Sequence, residues 1–297
     1  MSTRIEPVTA RYLHVDLGGR EHRVYVEEAG NPAGVPLLCL HTAGADTRQF
    51  RGLVNDDEVL RTCRVIAFDL PYHGKSSPPA GWQDSTYQLT AADYSATVIA
   101  MSRALELHRP IVMGCSIGGR LVLYLAADHP QEIGGVIGLQ SGGHVDPYYD
   151  TDYLNRPDVH GGLACAGVVS GLIGPDAPEQ DRWETLWHYM QGGPGVFKGD
   201  LHFYKVDGDV RDRLAAVDTS RCPVFLLTGE YDYSCSPDDT RQVADAIPGA
   251  QMTIMTGLGH FPMSEHYASF REYLLPTLTA AAQAREELLA AVSSSCQ

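Results

Sequence analysis

The sequence predicts an α/β protein built on a mostly parallel sheet, and three observations carry that expectation. Short, nearly uninterrupted apolar runs recur through the first hundred and forty residues, and amphipathic stretches of helical length separate the later ones. Apolar strands of this kind are buried on both faces, as in a parallel sheet covered by helices. The composition sets the scale: 297 residues, 44% hydrophobic and 20% charged, suffice for one large domain or two modest ones with a sizeable core. The 30 Gly and 18 Pro follow no regular period, which excludes a collagen-like chain.

Taken in order, His14 to Val26 carries a Gly18-Gly19 turn between alternating runs and predicts an antiparallel hairpin. Residues 23–30, 35–41, 64–70, 110–116 and 135–141 predict strands. Residues 91–107 and a segment starting at Ile117 predict helices. In the second, Leu121, Tyr124, Leu125 and Asp128 keep helical spacing and Pro130 ends it. From about His144 to Tyr204 the strand runs cease, and nine of the 25 aromatics fall there. Trp183, Trp187 and Met190 share one helical face. The expectation is a helical cap over residues 144–205, inserted after strand 6 between core segments 1–143 and 206–297, with some of its aromatics facing a ligand. The sheet resumes with residues 222–232 and 251–260, for eight strands in all, and a long helix follows from about Ser264.

A net charge of −15 repels phosphate backbones and anionic lipid, so neither nucleic acid nor a membrane is an expected partner. No run approaches the ~18 apolar residues of a membrane helix, and the first residues lack a secretory h-region. Seven scattered cysteines without a C-x-x-C pair read as reduced thiols, which excludes a disulfide framework or zinc site and points to a cytoplasmic protein.

Gly114-Cys115-Ser116-Ile117-Gly118 fits G-x-S-x-G, a pattern that chance supplies about 0.2 times in a chain of this composition. Its position adds weight, because an apolar strand precedes it and a helix follows. A serine on that turn projects its hydroxyl above the sheet, and the flanking glycines leave room for the crossing backbones. Such a hydroxyl needs a base. His260 stands in a Gly-rich loop immediately after the last strand, and Asp232 in the loop ending the strand before it. Glu230 and Asp146 are the rival acids.

The order Ser116, Asp232, His260 resembles that of the α/β-hydrolases, over nearly the whole chain. His41-Thr42-Ala43-Gly44 resembles their H-G-x-x oxyanion loop, with Thr42 in place of the usual second Gly. The segment from Asp69 to Ser76 resembles their D-x-P-x-H-G-x-S turn, where His73 is structural. The resemblance implies a capped serine hydrolase in which His260 deprotonates Ser116 and Asp232 holds the imidazole. The backbone N–H groups of Ala43 and Ile117 then meet the oxyanion. No metal or organic cofactor is required, and kcat/KM is expected to rise as the imidazole loses its proton.

Ser116 in the elbow argues against dehalogenases and epoxide hydrolases, which place Asp there. The GHFPMSE loop is also similar to that of meta-cleavage-product C–C hydrolases, but Cys115 and Phe261 replace their usual Asn and Trp. The expectation is therefore a carboxylesterase acting on small apolar or aromatic esters, with a C–C hydrolase of vinylogous diketones as the first alternative. A non-catalytic ligand-binding protein is the second. Candidate substrate-binding residues are His41, Thr42, Arg48, Cys115, Trp183, Trp187 and Phe261. Arg48, Arg156 and Arg182 are candidates for holding a substrate carboxylate. The partner is a small-molecule ester, and the oligomeric state, a homodimer included, is left open.

Overall fold

Eight strands join one sheet in the computed structural model, which describes residues 3–145 and 151–295. They are β1 (Thr9–Leu17), β2 (Arg20–Gly30), β3 (Val35–Leu40), β4 (Cys63–Phe68), β5 (Ile111–Cys115), β6 (Gly135–Leu139), β7 (Val224–Gly229) and β8 (Gln251–Met255). Their spatial order is β1-β2-β4-β3-β5-β6-β7-β8. Gly18 and Gly19, both at positive φ, turn β1 back onto β2 with Leu17 opposite Arg20. β2 meets β4 antiparallel, and every pairing from β3 to β8 is parallel.

Ten α-helices occur among the described residues: α1 (Asp57–Thr62), α2 (Ala91–Ala104), α3 (Ile117–Asp128), α4 (Gly161–Ser170), α5 (Glu179–Met190), α6 (Val196–His202), α7 (Arg211–Leu214), α8 (Pro237–Ala246), α9 (Pro262–Glu265) and α10 (Tyr267–Ser295). Successive strand residues point to opposite faces. Leu38 and Leu40 of β3 therefore join Val112, Val136 and Leu226 in one core, which α2, α3 and α8 cover with Val98, Leu121 and Val243. Leu37 and Cys39 join Ile111, Ile137 and Phe225 in the other, under Val59 of α1 and Phe270 and Leu274 of α10. Burial on both sides is the physical reason the strands read as continuous apolar runs.

Between β6 and β7 the chain makes a long helical excursion containing α4 to α7. A third, smaller cluster joins it to the sheet's loops: Ala166, Val169, Leu186 and Tyr189 pack with Ala45 and Phe261. Tyr148, Tyr149 and the rival acid Asp146 lie outside the described residues. Pro237 opens α8 behind a Ser236–Asp239 capping box. The C-terminal helix starts later than the expected Ser264. α9 ends at Glu265, whose carboxylate turns inward to accept the N–H groups of Phe261 at 3.2 Å and Gly174 at 3.3 Å. Six cysteines are buried and unbridged, and Cys296 lies outside the described residues. Among the described residues no helix is long and apolar enough to cross a membrane.

Candidate active site

The turn from β5 into α3 is built by space. A Cβ on Gly114 would lie 2.4 Å from the Gly118 carbonyl oxygen, and one on Gly118 would lie 2.9 Å from both Leu40 Cβ and Leu40 O. Only glycine lets the strand and helix backbones cross so closely. Between them Ser116 is held at φ 60 and ψ −110, a conformation that costs a side-chain-bearing residue about 1–3 kcal/mol. The Ser116 side chain makes no capping bond to α3.

At the ends of β7 and β8 the loops bring two more groups together. His260 Nδ1 lies 2.7 Å from Asp232 Oδ2, and both side chains are buried. The other carboxylate oxygen, Oδ1, accepts the N–H of Ser234 at 2.8 Å and of Cys235 at 3.1 Å. Asp232 is thus bonded on both oxygens, with Oδ2 on Nδ1 of the His260 ring. Glu230, the rival acid, accepts the N–H of Gly257 at 3.0 Å in an exposed setting. Gln140 ties the two loops: its Nε2 donates to Gly259 O at 2.8 Å and its Oε1 accepts from Gly229 N at 2.9 Å.

Ser116 and His260 face one cavity of about 230 Å³, shared with Thr42, Ala43 and Phe261. Its walls come largely from the excursion: Tyr153, Val169, Leu172, Tyr189, Phe197 and Tyr204. Among the described lining residues none is Asp, Glu, Lys or Arg. A larger groove of about 640 Å³ runs past Tyr72, Trp82 and Lys198 but contains neither Ser116 nor His260. Ala43 forms part of the cavity wall. Ile117 opens α3, so its N–H has no intrahelical acceptor.

Several expected cavity residues lie elsewhere. Trp183 and Trp187 are each 58% exposed, because α5 turns Leu186 and Tyr189 inward instead. Arg48 is folded back on Asp46, with Nε donating to Oδ1 at 2.8 Å and Nη2 to Oδ2 at 2.5 Å, so its charge is already met. Arg156 pairs with Asp158, and Arg182 reaches Gly174 O at 3.4 Å. No arginine among the described residues therefore reaches the cavity. Cys115 is buried beneath the turn, donating to His260 O at 3.3 Å; burial and then the Asp232 charge push its thiol well up.

His41 is also buried away from the cavity. Its Nδ1 donates to Thr42 O at 2.8 Å and its Nε2 accepts the Leu70 N–H at 3.1 Å, which suits only the neutral ring. Burial, then the neighbouring His73, push it down to about 4. His73 is the opposite case, with Nδ1 3.0 Å from Pro71 O and Nε2 2.7 Å from Asp200. Burial alone would lower it, but the Asp200 carboxylate outweighs that and holds it above its ordinary value.

Sequence reasoning missed Gln140, Tyr189, Asp200 and Glu265. A polar residue ending an apolar strand was the only sign of Gln140.

Residues 35–161 match a family model described as the alpha/beta hydrolase fold. The proline iminopeptidase of Neisseria gonorrhoeae is 33% identical, over 92% of this chain and 98% of that protein. The enol-lactonase of Burkholderia xenovorans LB400 superposes with a TM-score of 0.78 at 19% identity, covering 91% of this chain and 100% of that one. A thermophilic esterase of Thermogutta terrifontis gives 0.77 at 18% identity, over 92% and 99%.

Proposed function

This chain belongs to the α/β-hydrolase fold family and is a hydrolase, and on that premise we propose that it cleaves carboxylic esters of small, uncharged apolar or aryl acids through an acyl-enzyme on Ser116. The observation that carries this reading is the cavity: small, aromatic, and without a charged wall among its described residues. Its volume lies below the usual range of about 300–1,000 Å³ for ligand pockets, which favours a short acyl group. Residues 144–205 act as the cap over it.

His260 Nε2 takes the Ser116 proton while Oγ bonds to the ester carbonyl carbon. Asp232 holds the tautomer with Nδ1–H and stabilises the imidazolium. The carbonyl oxygen becomes an oxyanion met by the N–H groups of Ala43 and Ile117, donors typically worth about 10²–10³ in rate each. Collapse breaks the C–O bond, and the leaving alkoxide takes the proton from His260. Water then repeats the attack on the acyl-enzyme, and Ser116 is restored.

Similarity to the iminopeptidases supports a second reading, removal of an N-terminal proline. Such a substrate carries a cationic imino group, which calls for a carboxylate; the described lining supplies none. The deciding assay compares p-nitrophenyl esters from acetate to octanoate with proline p-nitroanilide, on wild type and Ser116→Ala. Ester turnover with a short-chain optimum, lost in the variant, is expected. Turnover of the anilide alone would overturn the ester reading in favour of the peptidase, and no turnover of either would overturn both.

A further inference from the structure

The excursion does more than roof the cavity. Ala43, whose N–H the mechanism uses, is flanked by Thr42 and Gly44, and each of these is bonded to a different excursion helix. Thr42 Oγ1 meets the hydroxyl of Tyr189 on α5. Gln49 holds the same threonine from below, accepting its N–H at 3.1 Å and donating from Nε2 to its Oγ1 at 2.9 Å. Gly44 N–H donates to Asp200 Oδ2 on α6 at 2.7 Å. Gly44 itself sits at φ +67, and a Cβ there would come 2.7 Å from the Phe197 ring of α6. The loop is thus gripped on both sides of Ala43 by a segment some hundred and fifty residues away.

Asp200 is fully buried and absent from the cavity wall. Three donors converge on its carboxylate: Gly44 N–H, His73 Nε2 at 2.7 Å and, on Oδ1, the Tyr87 hydroxyl at 2.8 Å. A buried carboxylate is expensive to keep unless each oxygen is bonded, and a charge-assisted bond is roughly twice as strong as a neutral one. Placing that acceptor on Gly44 fixes the peptide next to the one that must point its N–H at the oxyanion. Misplacement of such a group by about 1 Å costs about 10² in rate.

We propose that Tyr189 and Asp200 are positioning residues that aim the Ala43 N–H, making the excursion a structural part of the oxyanion site and not a detachable lid. The inference rests on the serine-hydrolase reading above. Its test uses the full chain with Tyr189→Phe and Asp200→Asn, which keep side-chain shape, and Trp187→Ala as a control on the exposed face of α5. On p-nitrophenyl acetate, kcat falls about tenfold in each positioning variant, less than the roughly 10²–10³ of a lost oxyanion donor because the N–H is misaimed and not removed, while KM stays within about twofold. The inhibition constant of phenylboronic acid, whose Ser116 adduct places an oxygen at the oxyanion position, rises by the same factor as kcat falls. A rise in KM at constant kcat, or unchanged boronate affinity in both variants, overturns the proposal.

Hydrogen exchange supplies a readout independent of turnover. Amides of residues 42–45 exchange faster in both positioning variants, while those of β3 and β5 keep their protection. Unchanged exchange at 42–45 overturns the tether. Faster exchange in a protein that turns over neither the esters nor the anilide leaves the tether standing and removes the serine-hydrolase reading instead.

Discussion

Replacing Asp232 by Asn tests the hydrogen-bond logic of the site more sharply than deleting the side chain. The carboxylate is divided in its work: Oδ2 accepts a hydrogen bond from His260 Nδ1 at 2.7 Å, and Oδ1 accepts two backbone N–H groups at 2.8 and 3.1 Å. Asn has one accepting and one donating end, so only one orientation suits Ser234 and Cys235. Turning its NH₂ toward them would strand two backbone donors, at about 1–3 kcal/mol each. Roughly 2–6 kcal/mol therefore keeps the amide oxygen on the backbone and the NH₂ on His260. The imidazole must then accept at Nδ1 and carry its proton on Nε2, where it cannot take one from Ser116. At about 1.4 kcal/mol per decade this predicts a loss in kcat/KM between about 30-fold and 10⁴-fold. The assay is steady-state hydrolysis of p-nitrophenyl acetate, with Ser116→Ala as the floor and a circular-dichroism melt to show the fold is kept. Glu230→Gln, run alongside, is expected within about threefold of wild type. A folded Asp232→Asn enzyme within threefold of wild type would refute the tautomer argument and Asp232 as the orienting acid.

Gly118→Ala is expected to lower the melting temperature and remove most activity, because its methyl would sit 2.9 Å from Leu40 Cβ and O. Overpacking of this kind costs about 1–3 kcal/mol, and an unchanged melt would dismiss the crowding argument. Trp183→Ala and Trp187→Ala should each hold kcat/KM on p-nitrophenyl acetate within about twofold, since both rings face solvent; a tenfold loss would place them at the cavity after all. His41 gives a pH effect of definite sign. Pushed down to about 4 in the fold, it refuses a proton that the unfolded chain binds near its ordinary ~6.5. Its contribution is therefore complete above about pH 6.5 and is lost as pH falls toward 4. The unfolding free energy of wild type relative to His41→Asn should narrow between about pH 7 and pH 5, as urea titrations would measure. A gap independent of pH would sink the assignment.

The strand–turn–helix around Ser116 was legible because its cause is local. Two glycines four residues apart flank the turn: Gly114 lets the strand pass the Gly118 carbonyl, a demand local to the motif, while the crowding of Gly118 against Leu40 appeared only in the packed sheet. The loops of Asp232 and His260 were legible for a different reason: each follows a parallel strand, β7 or β8, and parallel neighbours end at the same edge of the sheet. Arg48 misled because a carboxylate two residues away, Asp46, already meets its charge. Trp183 and Trp187 misled for a deeper reason. Helical spacing shows which residues share a face, but burial is non-directional and goes to whichever face finds a neighbour. On α5 that was the Leu186 and Tyr189 face, packed against Phe261 and Ala45.

The sequence by itself therefore determined the sheet, the strand–turn–helix at Ser116 and the chain positions of the Asp232 and His260 loops, which follow from short-range patterning and the order of the strands. Only the tertiary structure decided which side of the excursion faces the cavity, that the cavity's described wall carries no Asp, Glu, Lys or Arg, and that Tyr189 and Asp200 grip the loop on either side of Ala43. Those depend on contacts between segments far apart in the chain, which no local preference encodes and only the packed chain brings within reach of one another.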